Sequence, residues 1–373
     1  MIVGVPKEVK SSEFRVGITP LNVALLVQEA HKVVIQSSAG IGSGFSDAEY
    51  IKAGAIIVGS AKEVYDEAQL IVKVKEPQPS EYEFLSEKHT LFCYLHLAPV
   101  KELTKALVQK RVCAIAYETV AVGGELPLLK PMSEIAGSMA PMVGAYHLSR
   151  YQGGEGVLIS GANGVGGAKV LIIGAGNAGF ASAKIAVGMG ADVTVLNRTM
   201  PKLEYLQKEL LHVKIFLYST ELLYEIIKEF DIVIGTVLIR GGASAPKLIT
   251  TNMLKEMKEG SVLVDIAIDQ GGISESSKPT THTDPIFIQE GVLHYCVANM
   301  PGAYPKTSSV ALSNATIFYV RKLANEGVLN AVKNDASLAL GVNVFNGAVT
   351  NRAVAQIHNL EFKELEVSLA SEQ

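Results

Sequence analysis

The sequence predicts an α/β protein built from two doubly wound parallel sheets. Three observations predict it. The 373 residues exceed what one ordinary hydrophobic core holds, so two domains are expected. Apolar runs of strand length alternate with amphipathic stretches along most of the chain. The runs are continuously apolar, as strands buried on both faces are.

The first third carries the rhythm five times. Ile2–Val5, Val33–Ile35, Leu70–Val74, Leu91–Leu95 and Cys113–Tyr117 read as strands, rich in β-branched residues. Pro20–Ala30, Asp47–Ala53, Ala61–Ala68 and Val100–Lys110 read as helices between them. Thr19 followed by Pro20 reads as an N-cap with proline at the first helical position, and Asp47 and Ser60 as caps of the next two helices. The middle third repeats the pattern with strands at Lys169–Ile173, Val193–Asn197, Asp231–Gly235, Val262–Ile266 and Leu293–Val297. Helical stretches at 133–151 and 308–326 flank this second series, and Gly327 reads as a helix stop. The tail beyond shows weak helical signals and no clear strand. The chain is therefore expected to leave one lobe, build the second and return. Residues 1–128 and 307–373 form a discontinuous domain, and 129–306 an inserted one.

Composition narrows the function. Hydrophobic residues make up 48% and charged residues 19%, which is globular and not disordered. A net charge of −4 offers no basic footprint, and with no Trp there is little to stack bases on, so no nucleic-acid partner is expected. The stretch 133–151 is broken by Glu134, Ser138, Pro141 and His147, and no window reaches the roughly 20 apolar residues that a membrane span requires. Met1–Pro6 runs straight into a strand with no signal-peptide pattern, and Cys93, Cys113 and Cys296 are scattered in apolar runs with no metal spacing. Reduced core thiols and a cytoplasmic location follow as expectations.

The most specific local motif is Gly174-Ala175-Gly176-Asn177-Ala178-Gly179, placed after a strand and before a helix. The first glycine permits the tight turn, the second lets backbone approach a pyrophosphate, and the third allows close helix–strand packing. The helix N-terminus adds unpaired N–H groups and a favourable dipole. With the second strand also present, the inserted domain reads as a Rossmann dinucleotide-binding domain. That second strand ends in Asn197-Arg198 where an acid for the ribose hydroxyls is expected. Asn197 does not repel a 2′-phosphate and Arg198 would neutralise one, so NADP stands beside NAD as the cofactor. A second glycine cluster, Gly161 to Gly167, lacks the Lys-Ser/Thr of a P-loop and reads as a flexible turn.

Four residues fall at strand ends, where open α/β sheets bind ligands. Arg15 suits a paired contact to a carboxylate, and Lys75 a point-charge contact to an oxygen. His96 has the pKa range for proton transfer near neutrality. Asp265 and Asp269 flank a strand end in the second lobe. Asp265, inside the strand, reads as structural. The other histidines lack such placement.

These residues sit in stretches that are jointly specific: Gly4-Val-Pro-Lys-Glu8 with Arg15-Val-Gly-Ile-Thr-Pro20; Val72-Lys-Val-Lys75-Glu-Pro77; Tyr94-Leu-His96-Leu97; the glycine fingerprint; Val264-Asp-Ile-Ala-Ile-Asp269-Gln-Gly-Gly272; and His294-Tyr-Cys-Val-Ala-Asn299-Met-Pro-Gly302. Over nearly its whole length the chain resembles the alanine dehydrogenase/pyridine nucleotide transhydrogenase family, on its alanine dehydrogenase side. The resemblance implies reversible oxidative deamination of L-alanine to pyruvate and ammonium with NAD. It implies that Arg15 and Lys75 hold the substrate, that His96 is the acid/base and that Asp269 is the second catalytic residue. For the cofactor it implies Ser133, the fingerprint turn, Asn197, Lys202, Ser219, Val237 and Leu238. It adds the runs Ile266, Ala267, Ile268, Asp269 and Val297, Ala298, Asn299, Met300, with Lys278. It implies a homo-oligomer, a hexamer.

Two departures from the family pattern stand out. Asn197 occupies a position that is usually acidic, which keeps NAD against NADP open. Gly166-Gly167-Ala-Lys replaces a stretch where proline is usual, which touches only the turn. Rival readings are the soluble subunit of a transhydrogenase, an opine or saccharopine-type dehydrogenase, and an inactive nucleotide sensor. Lys75 and Asp269, usually replaced in the transhydrogenase branch, argue against the first. The complete set of four argues against the last.

Overall fold

A computed structural model describes residues 1–239 and 244–370. The chain divides into two compact units: Met1–Pro131 together with the chain from Tyr304 onward, and Met132–Ala303. Among the described residues no helix is long and apolar enough to cross a membrane.

The first stretch supplies β1 (Ile2–Val5), β2 (Lys32–Gln36), β3 (Ile56–Val58), β4 (Leu70–Val72), β5 (Thr90–Cys93) and β6 (Cys113–Ala116). The middle supplies β7 (Lys169–Ile173), β8 (Asp192–Asn197), β9 (Lys214–Leu217), β10 (Ile232–Gly235), β11 (Val262–Asp265), β12 (Ile286–Gln289) and β13 (Val292–Tyr295). The returning tail adds β14 (Val342–Phe345) and β15 (Ala348–Val349).

The first sheet runs β15-β14-β6-β5-β4-β1-β2-β3 and the second β12-β13-β11-β10-β7-β8-β9. In each, the chain steps outward from a central strand, jumps back across it and continues on the other side. This is doubly wound order, and the jump creates a switch point: β1 beside β4 in one sheet, β7 beside β10 in the other. The central strands Val3–Val5, Leu70–Val72, Val170–Ile172 and Ile232–Ile234 are almost wholly excluded from solvent, which is why they read as unbroken apolar runs.

Each sheet also carries an antiparallel edge. The tail, expected to hold no strand, forms β14 and β15, with β14 antiparallel to β6. The overlooked signal is Asn346-Gly347, whose φ values of +46° and +80° make the tight hairpin turn between them. β12 pairs antiparallel with β13 through Glu290-Gly291 in the same way. β3 and β9, also absent from the expectation, are short edge strands with partly exposed residues and little apolar contrast.

Helix ends follow local chemistry with two corrections. Ser46, not Asp47, caps Asp47–Lys52 in a capping box with Glu49, while Asp47 accepts hydrogen bonds from Ser37 and Ser38. Thr19 stands at the N-cap before Pro20, but its side chain does not cap; its N–H donates to Ser313 Oγ. The helix expected at 133–151 spans Lys130–His147 with Pro141 inside it. The long helix spans Pro305–Glu326 and stops at Gly327, where φ is +75°. The 161–167 cluster is a hairpin turn, closed by paired backbone bonds between Ala162 and Val165.

Candidate active site

In the first unit β1, β4, β5 and β6 are consecutive neighbours, all parallel, so their carboxyl ends lie along one edge. Arg15 follows β1, Lys75 follows β4 and His96 follows β5. Arg15 is drawn over the switch point because Gly17 rests on β4: a Cβ there would stand 2.8 Å from the Val72 carbonyl oxygen. The same segment is held from the other side by the Pro305–Glu326 helix, whose Ser309 Oγ accepts the Val16 N–H at 3.0 Å. The β4–β5 ladder continues past its strands, with Lys73 N–H donating to Phe92 O and Tyr94 N–H to Val74 O. Lys75 and His96 therefore lie just beyond paired backbone.

Buried charges organise these ends. Glu13 receives Arg15 Nε at 2.6 Å and Nη2 at 2.5 Å, with both side chains almost fully buried. Burial raises the Glu13 carboxyl, but the Arg15 bonds and the charges of Arg15 and Lys75 outweigh it and hold the pKa at about 2. Lys73 is fully buried between Glu8 Oε2 at 3.3 Å and Glu81 Oε1 at 2.9 Å. Burial pulls the Lys73 ammonium down, and the two carboxylates more than reverse this. Glu8 is pushed up by burial against the pull of Lys73, and it accepts the N–H of Val74 at 2.6 Å and of Lys75 at 3.4 Å. Glu76 is paired with Lys10; burial raises its carboxyl, while the charges of Lys10, His96 and Lys75 bring it below the usual range. Arg15 and Lys75 thus act on Glu13, and Lys75 and His96 on Glu76, so the three expected substrate and acid/base residues share one electrostatic neighbourhood.

His96 has φ +46°, left-handed backbone rare for a residue with a side chain. Its N–H donates to Glu118 Oε1 at 2.7 Å, and the Leu95 N–H donates to the same carboxylate at 3.1 Å. The His96 ring stacks on Tyr94, whose hydroxyl donates to Leu128 O at 2.6 Å.

In the second unit the fingerprint meets its steric requirements. Gly174 has φ +113°, and a Cβ there would sit 2.5 Å from Thr236 Oγ1. A Cβ on Gly179 would sit 2.0 Å from Gly174 O, so only glycine fits. Gly176 differs: a Cβ there would meet nothing within 4 Å. The fold does not require that glycine, and its open face at the N-terminus of helix Asn177–Gly188 suits a pyrophosphate resting on bare backbone. The turn therefore fits a dinucleotide. Helix Lys130–His147, which carries Ser133, packs its Gly137 against the Ala178 backbone, and Gly137 O accepts from Ser182 Oγ.

The other cofactor candidates fall at strand ends of this sheet: Asn197 as the last residue of β8, Ser219 after β9, Val237 and Leu238 after β10, Ile266–Asp269 after β11, and Val297–Met300 after β13. Asn197 Oδ1 accepts the Ala175 N–H at 3.2 Å, while its Nδ2 donates to Thr199. Arg198 and Lys202 are exposed. Ser219 caps its helix through Leu222 N–H, and the Lys278 ammonium stands 4.2 Å from the centre of the Phe287 ring. Asp265 is fully buried and accepts from Ala267 N–H, Ile273 N–H and Ser277 Oγ, which is a structural role. Asp269 is exposed on the short turn that Asp265 caps, and Gln270 ties that turn to Ile239 with two bonds.

Glu8, Glu13, Lys73 and Glu118 were missed as site residues. Glu8 and Lys73 lay inside stretches quoted for other reasons, Glu13 stands two residues before Arg15, and Glu118, like His96, follows the end of a strand.

A sheet that fits a dinucleotide, and a second sheet with arginine, lysine and histidine after three neighbouring strands, suit an oxidoreductase acting on a small charged substrate. Family models for the alanine dehydrogenase/PNT N-terminal and C-terminal domains match residues 4–136 and 140–352. The chain belongs to the alanine dehydrogenase/PNT family. It is 50% identical to an alanine dehydrogenase of Staphylococcus epidermidis over 99% of this chain and 100% of that one. A solved L-alanine dehydrogenase superposes with a TM-score of 0.92 at 45% identity, covering 96% of this chain and 99% of that one. A transhydrogenase from Sinorhizobium meliloti follows at a TM-score of 0.81 and 27% identity, covering 95% and 100%.

Proposed function

We propose that the chain catalyses the reversible oxidative deamination of L-alanine to pyruvate and ammonium. The observation that carries this reading is the meeting of Arg15, Lys75 and His96 on adjacent strand ends at a switch point. Identity at the level of whole alanine dehydrogenases supports it over the transhydrogenase reading.

Arg15 and Lys75 bind the substrate carboxylate and carbonyl oxygen. Glu13 cancels one of their two positive charges, which suits a monocarboxylate. Residues Gly174–Gly179 would hold NAD, which would supply the acceptor for the Cα hydride of alanine in its neutral-amine form. Asp269 stabilises the cationic iminium left on the substrate. Water then adds to the iminium carbon; His96 accepts its proton and returns one to the departing amine, giving pyruvate and ammonium.

NAD is proposed over NADP on the family resemblance, with the Asn197 side chain engaged by the glycine turn and Thr199. Three buried, unpaired cysteines support a reducing, cytoplasmic setting. A hexamer is carried over from the family resemblance.

Mixing purified protein with pyruvate, ammonium and NADH or NADPH, and following loss of the reduced cofactor, tests the reading. Turnover with another keto acid but none with pyruvate overturns it. His96→Ala is expected to bind NADH and lose turnover; near-wild-type activity removes His96 from its role.

A further inference from the structure

We propose that Glu118 is a positioning residue for His96, fixing the imidazole by gripping the backbone on which it is mounted. The proposal rests on the reading of His96 as acid/base and extends it to the neighbouring strand.

The geometry follows from the sheet. β5 and β6 are parallel and in register through Cys93 and Ala116. Beyond that pair β6 leaves the ladder in the short turn Tyr117–Thr119, and β5 runs on to His96. The Glu118 carboxylate takes the place of a ladder carbonyl. Oε1 accepts the N–H of both Leu95, at 3.1 Å, and His96, at 2.7 Å, and Oε2 lies 3.2 Å from the Leu95 nitrogen. Bonds to an ionised acceptor are stronger than those to a neutral carbonyl.

That grip acts where the chain most needs it. With φ at +46°, His96 occupies a conformation that its Cβ disfavours, and such backbone persists only where surroundings over-determine it. Relaxation to an extended φ would swing the Cα–Cβ bond and carry the ring off Tyr94, against which it lies at 25° with centroids 6.1 Å apart. The turn bearing Glu118 is itself anchored. Tyr117 packs edge-on against Phe92 and Tyr94, and Thr119 Oγ1 accepts from Asn343 Nδ2 at 2.7 Å. Neighbouring strands and the returning tail thereby set the position of one catalytic ring.

Three variants separate reach from charge. Glu118→Ala removes both, Glu118→Asp keeps the charge but is one methylene too short, and Glu118→Gln keeps the reach and the oxygen that receives both N–H groups. For alanine oxidation, Glu118→Ala is expected to lower kcat by about 10²-fold, the scale of a 1 Å misplacement. KM for alanine and Kd for NADH should stay near wild-type, which general loss of structure would not allow. Gln should restore most of kcat and Asp little. Should the alanine variant fail to fold, the Gln–Asp pair carries the same comparison. Full activity in Glu118→Ala, or rescue by Asp and not Gln, overturns the proposal. Measured beside them, an active His96→Ala would instead overturn the acid/base reading.

Discussion

Glu13 meets Arg15 as a two-toothed clamp, Nε and Nη2 each donating to a different carboxylate oxygen in a region closed to water. A group whose folded pKa is depressed contributes stability above its unfolded pKa and loses it as pH falls through the folded one. For Glu13 the window runs from 4.5 down to about 2. The difference corresponds to about 3 kcal/mol at neutral pH. Urea unfolding between pH 5 and 2 should show a steep loss in the parent protein and a shallower one in Glu13→Gln. Equal slopes would remove Glu13 as the source.

Lys73 invites a second test. It lies fully buried between two carboxylates. Lys73→Met should destabilise the protein by about 3–5 kcal/mol, since removing one partner leaves buried charge uncompensated. A change below 1 kcal/mol in chemical unfolding would mean that Glu8 and Glu81 take up protons at little cost.

The glycine turn holds one glycine that local sterics require, Gly179, and one proposed to face the ligand, Gly176. Gly179→Ala drives a methyl into the Gly174 carbonyl and should lower the melting temperature of the protein alone. Gly176→Ala meets nothing within 4 Å and should melt as the parent does, while NADH affinity falls by at least about 10-fold. Unchanged affinity in Gly176→Ala would mean that the pyrophosphate does not approach that backbone.

The proposed cofactor site makes Asn197 the position to test for cofactor choice. Asn197→Asp keeps an acceptor for the Ala175 N–H and adds negative charge at the end of β8, where the proposed cofactor site has the 2′ position. Relative kcat/KM should shift further toward NADH, by about 10-fold or more. Arg198→Ala should leave the NADH value unchanged. A marked fall in NADPH use with Arg198→Ala would instead show that this arginine contacts a phosphate.

The parallel core was legible because strands buried on both faces announce themselves as apolar runs, as at Lys169–Ile173. The fingerprint was legible because Gly174 and Gly179 answer to local sterics. What escaped depended on partners remote in sequence. β14 is four residues long and is a strand because β6 and β15 lie beside it. Glu8, Glu13 and Glu118 look like ordinary surface acids until folding buries them against Lys73 and Arg15 or aims them at backbone. Asp265 was assigned correctly to structure, because an acid inside a strand must find donors.

The tail's return also sets an order on synthesis. Val16 is held by Ser309, and the edge of β6 waits for β14, so the first unit stays incomplete until more than two hundred further residues have left the ribosome. The middle unit is continuous and can close as soon as it emerges. During that interval the exposed edge of β6 is an aggregation hazard that the finished molecule no longer has.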